Sequence, residues 1–525
     1  MMKKYLILCF ALAFASACSM KEDPGYFVNR EAYFKNGQQC QSAINSIYVG
    51  LKNVYTFKFF TLTEAHSDII YEPAPTVTEA RMELSPAQPG FGEDIWKYAY
   101  QMVMYANCAI AGTEKCTTIT PETKAKLLSE AVTMRAFWYY ILTSFFGDVP
   151  YYTYDVTDAA LMEQAAHLPR MSAVETRSQL VAELQRYYSY DSAGNYQGSL
   201  PQLRTSDTGD NRAGWAVAMM LIAKMSMWNA AKEPSRAEFW YDTAIEALER
   251  LENVYGNLDQ YPLEDVMFRY KNTPESIMEV QHEYSSGGLA YYSNLACVCM
   301  PVKAQTRTID PNTGEEYVVT TWDGIEVDEL GDLATYWTAA RPNLYFSAGL
   351  QTNGSDDLRA PINMAWDYNG VSFQSVSTRP WMGRKFWCPG MYSTYDSNNY
   401  KIFRYADALL MLAECWCAKQ DQDKTLRYLN MVKARAGLPD YVFKSWKKTF
   451  TEIQDERARE LFGEFQRRFD LVRWGEWYER MKNFNDYEEL QFNIRECHEY
   501  LPIPDKQVKY SGYALDNKEY NKYGM

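Results

Sequence analysis

Residues 456–475 read ERARELFGEFQRRFDLVRWG, and no other stretch restricts the fold of this chain as tightly. Ala458, Leu461, Phe462, Phe465, Phe469 and Val472 recur at steps of three and four, which places them on one stripe of an amphipathic helix that must pack inward. Between them run Arg457, Arg459, Arg467, Arg468 and Arg473, interleaved with Glu456, Glu460, Glu464 and Asp470. That charge density exceeds what a solvated helix face needs, although spacing alone also fits surface pairs worth a few tenths of a kcal/mol each. A second helix, beginning at Arg404 with RYADALLMLAEC, supplies a counterpart. Its Asp407 and Glu414 fall within about 20° of each other at ~100° per residue, a polar stripe on an otherwise apolar rod. Buried carboxylates need partners. At least one of the two is expected to meet an arginine among Arg457, Arg459, Arg467 and Arg468, making these charges a structural clamp and not a ligand site.

The chain has 525 residues, enough for two or three average domains or for one long helical solenoid. Its formal charge of −14 becomes −16 once Lys3 and Lys4 leave with the leader described below, since residues 1–17 hold no acid. Such an acidic chain has no electrostatic grip on phosphate backbones, so no nucleic-acid partner is expected. Aromatic residues make up 15% of the chain, with 42 Tyr and 14 Trp, more than a helical core requires. Some of them are expected to face a ligand or partner.

Lys3 and Lys4 precede an apolar run from Tyr5 to Ala17 that is too short to span a bilayer and has the shape of a secretory signal. Residues 1–17 are therefore assigned as a signal peptide. Ala15, Ser16 and Ala17 lead into Cys18, resembling a bacterial lipobox in which the cysteine is acylated, with Ala15 standing where Leu is usual. Residues 18–27 then form a lipidated tether, and its Ser19, Met20, Lys21, Glu22 and Asp23 resemble the surface-export signal of Bacteroidetes lipoproteins. Of 11 cysteines, Cys9 and Cys18 are accounted for, and the remaining nine form neither a small-domain disulfide framework nor a zinc spacing. Cys297/Cys299 and Cys415/Cys417 read as buried thiols.

Helical stripes recur along the chain. Ala43, Ile44, Ile47, Tyr48 and Leu51 mark the first, and the apolar run 95–111 marks the second. Residues 52–94 read as loop, punctuated by Pro73, Pro75, Pro86, Pro89 and Gly90. Thr120 and Pro121 open a helix that Gly147 closes, and Glu130 and Arg135, five residues apart on it, should reach different neighbours. Two helix pairs with tight turns follow, at 212–231 with 236–253 and at 404–419 with 424–436, weakly similar to tetratricopeptide repeats. Residues 256–399 differ in texture, with an apolar segment ending in ESIMEVQ, a hairpin around 306–322 and five tryptophans. Long connections of this kind are uncommon unless functional, so the ligand surface is expected here and in the loop at 64–96.

Catalytic signatures are missing. The four histidines form no H-E-x-x-H, and no G-x-S-x-G, Walker loop or G-x-G-x-x-G occurs. A glycosidase carboxylate pair is defined in space, so sequence neither supports nor removes it. The acidic run Asp323, Glu326, Asp328, Glu329 and Asp332 lacks calcium-loop spacing and reads as solvated; no metal or cofactor is expected. Aromatic residues on loops have no periodic core role. Trp322, Trp337 and Trp366, with Tyr291 and Tyr292, are thus the candidate platforms for a ligand, and Asp68 and Arg81 are candidate hydroxyl partners.

Three strings carry a family resemblance: ELFGEFQRRFDLVRWG followed by LPIPDKQV from Leu501, SEAVTMRAFWYYILTSFFGDVP at 129–150, and IWKYAYQMVMYANCAIA at 95–111. Together they resemble the SusD/RagB family of surface nutrient-binding lipoproteins. The resemblance implies a mainly α fold in which tetratricopeptide-like pairs support a loop-rich region with short strands. It implies one SusD-like domain over residues 28–525, with a helical scaffold at 28–255 and 400–525 and a ligand-facing region at 256–399. It further implies a non-catalytic glycan receptor at the outer-membrane surface, partnered by a SusC-like TonB-dependent transporter. Capture of peptides for such a transporter, or glycoside hydrolysis, is the alternative.

Overall fold

Helices form where caps and stripes coincide. A computed structural model describes residues 33–72, 79–203, 211–285, 288–299, 307–309, 313–318, 321–322, 325–326, 340–352, 355–368, 371–372, 380–386 and 397–525. The leader, Cys18 and the tether lie outside them. Helix α1 (Gly37–Val54) is opened by Asn36, whose side chain accepts the Gln39 amide, and it buries Ile44, Ile47 and Leu51 as its stripe demands. Helices α2 (Gly92–Lys115) and α3 (Pro121–Phe146) follow. On α3 the Thr120 side chain accepts the Thr123 amide, and Gly147 ends the helix at a φ of 68°. Apolar nearly all round, the second half of α3 is buried from Ser129 to Phe146. Its two charges diverge: Glu130 lies 2.6 Å from Arg212, and Arg135 lies 2.6 Å from Glu183.

Helix α4 (Ala173–Tyr187) packs on α3, and α5 (Trp215–Lys232) packs on α4. The turn at 233–236 joins α5 to α6 (Ala237–Tyr255), which lies along it as one of the expected pairs. The second pair is α7 (Tyr405–Ala418) with α8 (Gln422–Arg435), and α7 in turn lies against α6. Successive helices thus build a scaffold whose neighbours in sequence are mostly neighbours in space. The ESIMEVQ segment forms strand β1 (Ser276–Val280), followed by a hairpin of β2 (Glu283–Ser285) and β3 (Gly288–Tyr291). Strand β1 pairs antiparallel with β4 (Tyr400–Arg404), which runs directly into α7 and ties the middle region to the scaffold. Within the middle region the remaining strands are two or three residues long, including the paired segments Arg307–Ile309 and Glu316–Val318.

Two expectations need correction. The charged signature is not one helix: α9 (Trp446–Glu460) stops at Leu461 and α10 (Arg467–Trp474) begins after a turn. Gly463 and Phe465 adopt left-handed φ values of 71° and 62°, which interrupt the helix while both flanks keep their apolar faces inward. Nor is 52–94 a continuous loop. Helix α1 extends to Val54, Phe57–Phe60 forms a further helical turn, and Thr61–Ala65 is a π-helical turn buried throughout.

Candidate ligand face

Most of the charge in the C-terminal signature is consumed inside the fold. Arg457 reaches Asp407 at 2.9 Å and Asp470 at 2.7 Å, while Lys224 from α5 reaches Asp407 at 2.7 Å. Glu414 is held by both terminal nitrogens of Arg473, a signature arginine outside the four expected for this role. Arg359 binds Asp357, Glu456 and Glu460, and Arg404 binds Glu275, Glu460 and Glu464, all of them buried. Arg459 pairs with Glu456 at 2.7 Å. Surrounded by cations, Glu456 is held down to about 2, and the pairs therefore stay ionised.

Asp68 belongs to the same lattice. It is fully buried, with Arg467 at 2.7 Å and Arg480 at 3.1 Å occupying its carboxylate, so it does not offer itself to a sugar hydroxyl. Arg468 donates to the carbonyls of His498 and Glu499 at 2.7 and 3.2 Å and stacks 4.5 Å from Trp477. Arg81 is partly exposed but pairs with Glu83 at 2.7 Å, and its carbonyl accepts from Asn493. Asp68, Arg81 and Tyr291 thus have separate sets of neighbours and do not converge.

Tyr291 ends strand β3 opposite Glu283 and is 63% exposed, the most open aromatic side chain described between β1 and β4. Its position is fixed from behind. The Tyr400 hydroxyl accepts the Asn294 amide at 2.9 Å and bonds Ser293 at the same distance, while Asn294 accepts the Phe57 amide at 3.3 Å. Three segments distant in sequence are thereby joined: the end of β3, the turn after α1 and strand β4. Lys52 on α1 lies 5.1 Å from the Tyr291 ring. Beyond it, Phe57 meets Phe91 edge to face at 5.9 Å, and Lys58 pairs with Asp94 at 2.7 Å, both side chains about two-fifths exposed. The result is an accessible ring with flanking aromatic carbon and half-exposed charged donors and acceptors.

Of the other aromatic candidates, Tyr292 is half-buried, and Trp366 is half-buried against the core. Trp322 sits on the two-residue strand Thr321–Trp322, but its side chain lies outside the described residues, as does Trp337 altogether. Lys52, Phe57, Lys58, Phe91 and Asp94 were not singled out by sequence. Phe91 and Asp94 fall within the stretch 64–96 expected to carry ligand surface, but no local pattern marks any of the five individually until the hairpin is placed.

No cluster of three metal-ligating side chains exists among the described residues. Burial pushes Glu64 up to about 7, a value suited to a general acid. Yet Glu64 is sealed in the core, accepting the Gly463 and Arg467 amides at 3.2 Å each. No helix among the described residues is long and apolar enough to cross a membrane.

Comparison with known proteins converges on one family. Residues 336–520 match the SusD family model, and residues 31–186 match a SusD-like model described as "Starch-binding associating with outer membrane". A curated SusD-like protein of Formosa agariphila is 22% identical, the match covering 98% of each chain. Among solved structures, a SusD homologue from Bacteroides thetaiotaomicron superposes with a TM-score of 0.68 at 22% identity, covering 92% of this chain and 98% of that one. Surface glycan-binding protein A from Bacteroides fluxus gives 0.68 at 21% identity, with 92% and 99% covered. A laminarin-binding SusD-like protein gives 0.69 at 18%, with 91% and 98% covered. With two SusD models matching opposite ends of the chain and relatives spanning nearly all of it, this protein belongs to the SusD/RagB family.

Proposed function

We propose that this protein is a non-catalytic receptor that captures oligosaccharide on the face around Tyr291 and delivers it to a partner TonB-dependent transporter. It is held at the outer-membrane surface by lipid on Cys18. The observation that carries the reading is the exposed Tyr291 ring, anchored through Asn294 and Tyr400 beside Lys52 and the Lys58–Asp94 pair. A fixed aromatic face accepts the C–H side of a sugar, and neighbouring charged groups bond its hydroxyls. The names of two structural neighbours, a surface glycan-binding protein and a laminarin-binding SusD-like protein, support the same class of ligand.

Binding of the purified protein to an oligosaccharide panel tests this. Tyr291→Ala should weaken binding of the recognised glycan by at least tenfold with an unchanged Tm, because an exposed ring adds little to folding. Incubation should yield no shorter sugars. Undiminished affinity in the variant would remove Tyr291 from the site, and steady product release would replace the receptor with a hydrolase.

A further inference from the structure

A cavity of about 310 Å³ lies on the opposite logic from the ion lattice: it contains a buried cation that makes no direct ion pair among the described residues. Its wall includes Gly147 and Asp148 after α3, Arg170, Arg177 on α4, Lys232 at the end of α5, and Tyr500. Arg177 is only 1% exposed. Its Nε donates to Thr143 Oγ1 at 3.3 Å, its Nη2 donates to the Thr143 carbonyl at 2.9 Å, and its plane lies 4.5 Å from the Trp228 ring. Nη1 has no hydrogen-bond partner among the described residues, and Arg177 makes no ion pair among them. Of the other fully buried arginines, Arg468 makes no ion pair among the described residues and donates to two backbone carbonyls, whereas Arg359, Arg404 and Arg457 each meet two or three carboxylates. An enclosed guanidinium without such a partner bears an uncompensated desolvation cost, and a ligand anion would relieve it.

The other two cations of the wall are already paired. Arg170 and Lys232 also line the cavity and are 17% and 31% exposed at their side chains, so they reach both wall and solvent. Arg170 is held by the Asp148 carbonyl at 2.9 Å and by Asp516 and Glu519 at 3.3 and 3.5 Å, and Lys232 by Glu499 at 3.2 Å. The first turn of α4, from its cap Ser172 through Val174, forms another part of the wall and adds the positive end of a helix. Two acids line it as well. Asp148 is engaged by the Ala173 amide at 2.8 Å and Glu519 faces Arg170, so with Asp516 and Glu499 four carboxylates stand near the three cations, and Arg177 is the cation of the three that makes no ion pair among the described residues.

We infer that this cavity between α3, α4 and the C-terminal segment is an oxyanion site, with Arg177 Nη1 as the central donor and Arg170 and Lys232 at its rim. Its volume is at the small end of the ~300–1,000 Å³ typical of ligand pockets. The occupant is therefore a sulfate, phosphate or carboxylate group, free or carried on a body no larger than one saccharide unit. This assignment is independent of the glycan reading for Tyr291.

Calorimetric titration of the full-length protein with sodium sulfate, sodium phosphate and glucuronate tests it, with glucose and sodium chloride as neutral and ionic-strength controls. Saturable binding of at least one oxyanion is expected, at least tenfold weaker in Arg177→Gln and several-fold weaker in Lys232→Gln. Lys232 is partly exposed, so its variant keeps the test decisive should Arg177→Gln not fold. Tighter binding of glucuronate than of sulfate or phosphate assigns the site to an acidic saccharide, and the reverse order assigns it to a free ion. No saturable heat with any of the three anions, equal binding of glucose, or undiminished anion binding in folded Lys232→Gln would overturn the assignment.

Discussion

Asp407 is closed to solvent between Lys224 at 2.7 Å and Arg457 at 2.9 Å, a geometry in which removing the carboxylate strands Lys224 and leaves Arg457 with Asp470 alone. Asp407→Ala is expected to destabilise the protein by about 3–5 kcal/mol, the range for breaking a buried pair from one side. Urea denaturation checks this, and a loss below about 1 kcal/mol would place Asp407 with ordinary surface pairs. The histidines add a pH dependence of definite sign. Burial and neighbouring Arg468 pull His66 from 6.5 down to about 3, and burial with Lys271 nearby pulls His282 down to about 4. A histidine depressed in the folded state contributes stability that is complete above its unfolded value and is lost as pH falls toward the folded one. Stability should therefore decline from pH ~6.5 toward pH ~4, with His66 alone accounting for about 3 kcal/mol at the acid end. The decline should be shallower in His66→Asn, and parallel profiles for the two proteins would reject the assignment. At this scale the sequence was half legible. Helical geometry put Asp407 and Glu414 on one stripe in need of cations, whereas Asp68 and its partner Arg467 stand 399 residues apart and share no local pattern.

The break between α9 and α10 shows what periodicity conceals. Ala458, Leu461, Phe462, Phe465, Phe469 and Val472 keep helical spacing and are all buried, so the stripe reads as continuous although the backbone is not. Gly463 carried the contrary signal. At its φ of 71° an added Cβ would overlap the Phe386 ring, so the glycine serves both the turn and the close approach of a neighbouring segment. Gly463→Ala should cost about 1–3 kcal/mol from backbone strain and overpacking together, measured as a fall in Tm. An unchanged Tm would mean that the turn relaxes without loss. Where capping chemistry and stripes agreed, as at Thr120–Pro121 and in both helix pairs, elements formed where the sequence placed them. Residues 52–65 were misread because the prolines further along belong to the segment after the π turn and not to the helical turns before it.

Across the whole molecule, the mainly helical architecture could be read from sequence because neighbouring helices pack on one another, so local pattern and global fold coincide. The ligand face could not, since it joins Lys52, Phe57, Asp94 and Tyr291 from three separate segments. The aromatic surplus misled for a related reason: Trp138, Trp215, Trp228 and Trp477 are fully buried, so much of it fills the core. Among the described residues the first labelled helix is α1, whose cap Asn36 lies eighteen residues beyond the cysteine proposed to carry lipid. If residues 18–27 are a tether, as the sequence suggests, the anchor and the fold should be separable. Cys18→Ala is expected to retain the wild-type Tm and glycan affinity while moving from the detergent-rich to the aqueous phase on partitioning, since no described helix could hold it in a bilayer. If the variant stays in the detergent phase, something other than lipid on Cys18 attaches the protein. If it partitions to water but also loses stability, residues 18–27 contribute to the fold and are more than a tether.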